Sequence, residues 1–345
     1  MSLPGVQLKK RFLDVPIIQG GMGVGISLGG LAGAVMKEGG LGVVSAAHPG
    51  YQDPSFWSDS VQANVKAIQK EAEKARRISE GHGLLGLNVM VASRDYETYV
   101  RAGVAAGYDV LLSGAGLPLS LPELAGESEI LLAPIVSSAR ALELLIKVWQ
   151  KRYARVPDLV VIEGPLAGGH LGFKEADLQS GQTQALEAIL EDVLQLLKEK
   201  ELAIPVFAAG GVYSHEDIEG LLEKGAAGVQ MATRFIATVE CDAAPAFKQA
   251  LIDSRPEQLR LLHSPAGWPG RALQQPGRRN RPENCIRCLK RCDFQSAGFC
   301  LSQALIAAVS GELEEALVFA GANAGRLSGM LTVAELMKEL KEGRQ

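Results

Sequence analysis

Eight short apolar runs rich in Val, Ile and Leu recur along the chain, at 15–21, 41–47, 84–92, 110–116, 130–137, 159–167, 205–212 and 228–238. Their apolar residues are continuous instead of alternating, the pattern of strands buried on both faces. Between them, segments 61–79, 138–153, 183–200 and 214–224 each carry an apolar stripe and a charged face at helical spacing. Eight strands alternating with helices within 1–253 predict an α/β fold of the (β/α)8 TIM-barrel type, not two doubly wound domains. Residues 254–284, dense in proline, glycine and basic side chains, predict a long loop or linker. Beyond it, 301–310, 312–320 and 332–342 predict short helices, too small for a core of their own. Residues 254–345 are therefore expected to pack on the barrel as a cysteine-containing helical appendage.

Composition narrows the function. The net charge of −4 provides no basic field for nucleic acid. No apolar run approaches about 18 uncharged residues, and Lys9, Lys10 and Arg11 lead into no signal-type stretch, so a soluble, cytoplasmic protein is expected, with no membrane association. Aromatic residues are only 5%, whereas glycines number 39, which favours close backbone approach over an aromatic binding surface. The oligomeric state stays open, with a homodimer among the options.

In a TIM barrel the site forms beyond the C-terminal strand ends. Glycine pairs stand at three of them: Gly20-Gly21 before Met22 and Gly23, Gly168-Gly169 before His170 and Gly172, and Gly210-Gly211. One pair alone would mean only a tight βα turn. Three pairs, with Thr233 and Arg234 after the last strand, point to a flat ligand on exposed backbone, its phosphate cupped near Gly210, Gly211 and Thr233. The stretch 20–30 is glycine-rich too, but it lacks the third small residue and the distal acid of a dinucleotide fingerprint. His170, between glycines at a strand end with Glu163 and Asp177 nearby in sequence, suits a general acid or base, although a turn histidine bonded to backbone would look the same. His48 is a weaker candidate, and His82, His215 and His263 suit surface positions. Asn88, a polar residue in an apolar strand, requires partners if buried and could pair with the edge of a heteroaromatic ring.

These segments resemble a known family. Pro16-Ile17-Ile18-Gln19-Gly20-Gly21-Met22, Gly86-Leu87-Asn88, Ala167-Gly168-Gly169-His170-Leu171-Gly172, Ala209-Gly210-Gly211-Val212 and Gly228-Val229-Gln230-Met231-Ala232-Thr233-Arg234-Phe235 are similar, in that order, to motifs of the FMN-dependent nitronate monooxygenase (2-nitropropane dioxygenase) family. That family includes FMN-dependent enoyl-acyl-carrier-protein reductases and NADH:quinone reductases. The resemblance implies FMN at the barrel mouth, with Gly21, Met22, Asn88, Gly168, Gly169, Gly210, Gly211, Gln230, Met231, Ala232 and Thr233 as cofactor-binding residues and His170 as the catalytic histidine. It implies an oxidoreductase that oxidises alkyl nitronates or passes electrons between NAD(P)H and an organic small-molecule acceptor. Ala232 departs from the family, which usually has glycine there.

Cys285-x2-Cys288-x3-Cys292-x7-Cys300 is not a requirement of that family. Four thiols within so short a span suit one tetrahedral Zn²⁺ or one [4Fe–4S] cluster, and the compact run is similar to the iron–sulfur segment of the old-yellow-enzyme-related enoate and dienoyl reductases. Metal-free reduced thiols are a third reading. Cys241 reads as a packed small residue. Arg271, Arg278, Arg279 and Arg281 either hold a phosphorylated partner such as NADPH, CoA or a phosphopantetheine, or form a solvated loop. Two other functions stay in view: an FMN-dependent enoyl-thioester reductase, and a non-catalytic flavin or metal redox sensor.

Overall fold

The computed structural model describes residues 3–274 and 284–343. An antiparallel hairpin, β1 (Val6–Leu8) and β2 (Arg11–Leu13), opens the chain. Parallel strands β3 (Ile17–Gln19), β4 (Leu41–Ser45), β5 (Leu84–Met90), β6 (Val110–Gly114), β7 (Leu131–Val136) and β8 (Val160–Glu163) follow. A two-residue strand outside the barrel, β9 (Gly169–His170), precedes β10 (Val206–Ala209) and β11 (Gly228–Met231), and β11 pairs back to β3 to close an eight-stranded barrel. Each of the eight predicted runs contains one barrel strand.

Side-chain alternation divides the barrel into an inner and an outer core. Ile18, Leu41, Val43, Leu84, Val110, Leu112, Val161 and Phe207 meet inside, and Leu8 and Leu13 of the hairpin join the same cluster. Their neighbours Ile17, Val44, Leu85, Leu111, Val160 and Val206 face the helices. Those helices are α1 (Gly29–Lys37), α2 (Ser60–Ser79), α3 (Tyr96–Ala105), α4 (Leu121–Ala125), α5 (Ala139–Tyr153), α6 (Glu175–Ser180), α7 (Leu186–Glu199), α8 (His215–Glu223), α9 (Thr233–Ile236) and α10 (Pro245–Ile252). Their starts follow from capping: Asp59 accepts from Gln62 N, Ser138 from Ala141 N, and Ser214 forms a reciprocal capping box with Asp217.

The C-terminal segment corrects two expectations. The stretch expected as a loop contains β12 (Arg260–His263) and β13 (Pro269–Gln274), and the second of the three expected short helices, 312–320, is a short 3₁₀ turn followed by β14 (Val318–Phe319). β13 pairs with β12, with β14 and with β9, so the tail completes a sheet around the loop that follows β8. Helices α11 (Phe294–Ala297), α12 (Leu301–Ser310) and α13 (Val333–Glu342) complete it. Arg234 lines the cavity at the expected phosphate cup, but its guanidinium is engaged by the protein. Its guanidinium is buried, donates to Tyr213 O at 2.9 Å and pairs with Glu339 at 3.1 Å, which ties α13 to the barrel. Among the described residues no helix is long and apolar enough to cross a membrane.

Candidate active site

One cavity opens at the C-terminal end of the barrel and brings together most of the singled-out residues. Gly21, Met22, Asn88, Gly168, Gly169, His170, Gln230, Ala232 and Thr233 all line it. A smaller adjoining cavity adds Gly210, Gly211 and the Met231 segment. Met231 differs from its neighbours: it packs into the outer core, and its carbonyl accepts from Gly20 N at 2.8 Å, so backbone is its contribution here.

The glycines are there because side chains do not fit. A Cβ on Gly21 would run into the side chain of Asn88, and one on Gly168 would lie 2.5 Å from the backbone of Ala320 and Gly321. Gly210 and Gly211 have φ of +94° and +102°, a region costly for any residue with a Cβ. Ala232, by contrast, sits at φ −126°, open to every residue, so the glycine usual at this point is not needed for the backbone conformation.

Two polar side chains offer hydrogen bonds to the cavity. The Oε1 of Gln230 is buried without a partner, and the half-buried Asn88 carboxamide faces the cavity. A buried amide oxygen left open, as on Gln230, carries a penalty of about 1–3 kcal/mol, which a bound heteroatom would relieve. Gln19, one strand end away, is satisfied inside the barrel: its Oε1 accepts from Val43 N at 3.0 Å and its Nε2 donates to Gly20 O at 2.5 Å.

His170 is held from three sides by the C-terminal segment. Its backbone pairs with Gly270 in β13, its ring packs edge-on against Phe319 at 5.1 Å, and its Nε2 lies 2.7 Å from Ser264 Oγ. Burial lowers its pKa to about 4, so the ring is neutral at pH 7. Glu163 closes β8 on the floor of the same cavity, and burial raises its pKa to about 8, so it is largely protonated at pH 7. Sequence proximity to His170 was its only earlier signal; the sharper one is a carboxylate ending an otherwise apolar strand.

The expected phosphate cup has a tail-derived wall. Gly321 N donates to Thr233 Oγ1 at 3.1 Å, and Asn323 Nδ2 donates to Gly211 O at 2.5 Å. Nothing in the small, glycine-rich run 320–323 marked it beforehand. Arg271 does not reach for a ligand: its Nη1 donates to the carbonyls of Pro165 at 2.7 Å and Ala167 at 2.6 Å, which clamps the loop before His170. Arg278, Arg279 and Arg281 lie outside the described residues.

His48 occupies the opposite wall, with Nε2 2.8 Å from Ser302 Oγ and its ring edge-on to Phe56. His215 is buried, its Nδ1 against Leu340 O, and His263 pairs with Asp293 at 2.8 Å, so neither reaches the cavity. Cys241 is buried in the outer core, as expected. Cys288 reaches the cavity wall, but among the described residues no three His, Cys, Asp or Glu side chains converge as a metal site, so the four-cysteine metal reading finds no assembled site.

The nitronate monooxygenase family model matches residues 6–343. A nitronate monooxygenase of Pseudomonas aeruginosa is 30% identical over 283 residues, covering 76% of this chain and 77% of its own. A (3aS,4S,5R,7aS)-5-hydroxy-7a-methyl-1-oxo-octahydro-1H-indene-4-carboxyl-CoA dehydrogenase of Mycobacterium tuberculosis is 26% identical over 266 residues, covering 76% of this chain and 64% of its own. The solved structure of FabK from Thermotoga maritima superimposes with a TM-score of 0.72 at 24% identity, covering 95% of this chain and 93% of its own.

Proposed function

Because this chain belongs to the nitronate monooxygenase family and is an FMN-dependent oxidoreductase of that type, we propose that its barrel mouth holds FMN over Gly21 and Asn88, with His170 as the catalytic side chain beside it. The observation that carries this reading is the convergence of uncovered amides, glycine cradles and a neutral imidazole on one cavity. Bound FMN supplies a ring that accepts or donates electrons singly or in pairs.

The chain's own groups supply the rest. Gly21, Gly168 and Gly169 let a planar ring approach the backbone, while Asn88 and Gln230 offer amides to its polar edge. Gly210, Gly211 and Thr233 would hold the phosphate. The neutral His170 orients an alkyl nitronate or takes a proton from its carbon acid, and Ser264 keeps the ring turned toward the cavity. Glu163 is largely protonated at pH 7, so an anionic substrate meets little repulsion from the floor.

A second reading, reduction of an enoyl thioester by NAD(P)H, draws on the acyl-CoA relative and on a side chamber beyond His170. That chamber runs between Leu117, Ile135, Ser138 and Trp268 and has the apolar walls an acyl chain requires. The two readings separate in one experiment: purified enzyme is given an alkyl nitronate with oxygen, or NADH or NADPH with an enoyl thioester under argon. Oxygen uptake dependent on nitronate supports the monooxygenase. Oxygen-independent loss of the enoyl absorbance replaces it with the reductase, and turnover of neither substrate overturns both.

A further inference from the structure

The four cysteines of the tail have no place in the flavin site as built so far, yet one of them forms part of its wall. Cys288 lines the cavity, and its Sγ accepts from Ser302 Oγ at 3.1 Å. Ser302 also contacts His48 Nε2 at 2.8 Å, so a short polar chain leads from the cysteine segment to the cavity.

The backbone around these cysteines is firmly placed. Arg94 N donates to Cys288 O and Lys290 N to Ala92 O, each at 2.9 Å, fastening the segment to the loop after β5. Asp293 N donates to Pro265 O at 2.8 Å, and Cys300 caps the start of α12. Cys285 and Cys292 have exposed side chains, whereas Cys288 and Cys300 are half-buried, and none of the four is in a disulfide. The four share one neighbourhood: Cys285, Cys292 and Cys300 all act electrostatically on Cys288, and Cys285 and Cys292 do so on Cys300. Two anchored inner thiols thus have two exposed thiols close by; as placed, no three of the four converge, so ligation requires the exposed pair to move inward.

The spacing distinguishes the ligand. Structural zinc sites with four thiolates draw on two separated pairs, each of C-x₂₋₄-C form. Here three cysteines crowd onto one loop, C-x2-C-x3-C, and a fourth follows at the head of a helix. A compact run of three with a fourth from beyond it suits the corners of a cubane cluster. We propose that Cys285, Cys288, Cys292 and Cys300 ligate a [4Fe–4S] cluster set against the wall of the flavin cavity. Its placement beside a flavin rests on the function proposed above; the cluster itself does not.

The test uses the full-length protein purified without oxygen. Iron, acid-labile sulfide, zinc and FMN are counted per chain, and the electron paramagnetic resonance spectrum is recorded after reduction with dithionite. The expected result is ~4 iron and ~4 sulfide per chain with a cluster signal. Both should vanish in the Cys285→Ser/Cys292→Ser variant, whose altered side chains lie outside the cavity, while FMN is retained. One zinc without sulfide overturns the cluster, as do four freely titrating thiols without metal in the unaltered protein, a count that needs no variant to fold. Iron and sulfide unchanged in the variant overturn the ligand assignment. A cluster without FMN defeats the flavin reading alone, and FMN without a cluster defeats only this one.

Discussion

The Nε2 of His170 and the Oγ of Ser264 lie 2.7 Å apart although 94 residues separate them in the chain. His170 lies in the loop after β8, Ser264 at the end of β12, so the C-terminal sheet aims the imidazole. His170→Ala is expected to lower kcat by roughly 10²–10⁴-fold with FMN retained, the range for loss of a general acid or base. Ser264→Ala should lower kcat by about tenfold and leave KM nearly unchanged, since it frees the ring without removing it. Steady-state kinetics with flavin absorbance as the occupancy control decides. Equal losses in the two variants would mean that Ser264 does more than position the ring.

Cofactor retention should separate two kinds of glycine. Gly21→Ala and Gly211→Ala place a methyl group against Asn88 or in a positive-φ turn, and both should purify with FMN occupancy reduced by tenfold or more. Gly220→Ala, in α8 where an added Cβ meets nothing within 4 Å, should keep FMN and gain about 0.5–1 kcal/mol of stability from helix propensity. Flavin release on heating and urea denaturation read the two effects.

Activity should hold across an unusually wide pH span. With His170 at about 4, the acid limb of kcat/KM is expected near pH 4 instead of 6.5, and Glu163 at about 8 should set the alkaline limb. The same shifts act on stability. Folding raises the Glu163 pKa from 4.5, so the folded chain binds more protons than the unfolded between pH 4.5 and about 8, and stability falls as pH rises through that window. Glu163→Gln should therefore raise the Tm at pH 9 and change it little at pH 4, and it should remove the alkaline limb. For His170 the sign is reversed: its pKa falls on folding, and stability is lost as pH drops from 6.5 toward 4. A pH series of thermal melts on wild type and both variants checks each sign.

The buried guanidinium of Arg234, paired with Glu339, holds the last helix to the barrel. Glu339→Ala leaves the guanidinium buried without its carboxylate, and a loss of roughly 2 kcal/mol is expected. Urea midpoints measure it. A change within 0.5 kcal/mol would show that Tyr213 O and the stacked Tyr213 ring suffice to hold Arg234.

The barrel was legible because its strands are local signals: each is a run buried on both faces, and the segments between them carry an apolar stripe and a charged face at helical spacing. The tail sheet was not legible. Pro265, Gly267, Pro269 and Gly270 carry the composition of a loop, and β13 becomes a strand only because β9, β12 and β14 offer it partners from three distant parts of the chain. Segment 312–320 has helix-forming glutamates and alanines, but Val318 and Phe319 take the extended form to pair with β13. The glycine pairs stood out because tight turns limit residue choice. Asn323 and Ser264 are ordinary polar residues whose importance comes from tertiary placement. Arg234, singled out by its position after β11, lines the cup cavity while its guanidinium turns to α13, a pairing no local signal announces.

The pairing of β9 with β13 also bears on the order in which a ribosome delivers this enzyme. All eight barrel strands have been synthesised once Met231 is made, before any strand that pairs with the His170 loop. Ser264, Gly270, Phe319 and Gly321 arrive only afterwards. Translation that stops between Met231 and Arg260 would release a chain holding all eight barrel strands and none of the strands that brace its histidine, a premature product with an unfinished active site.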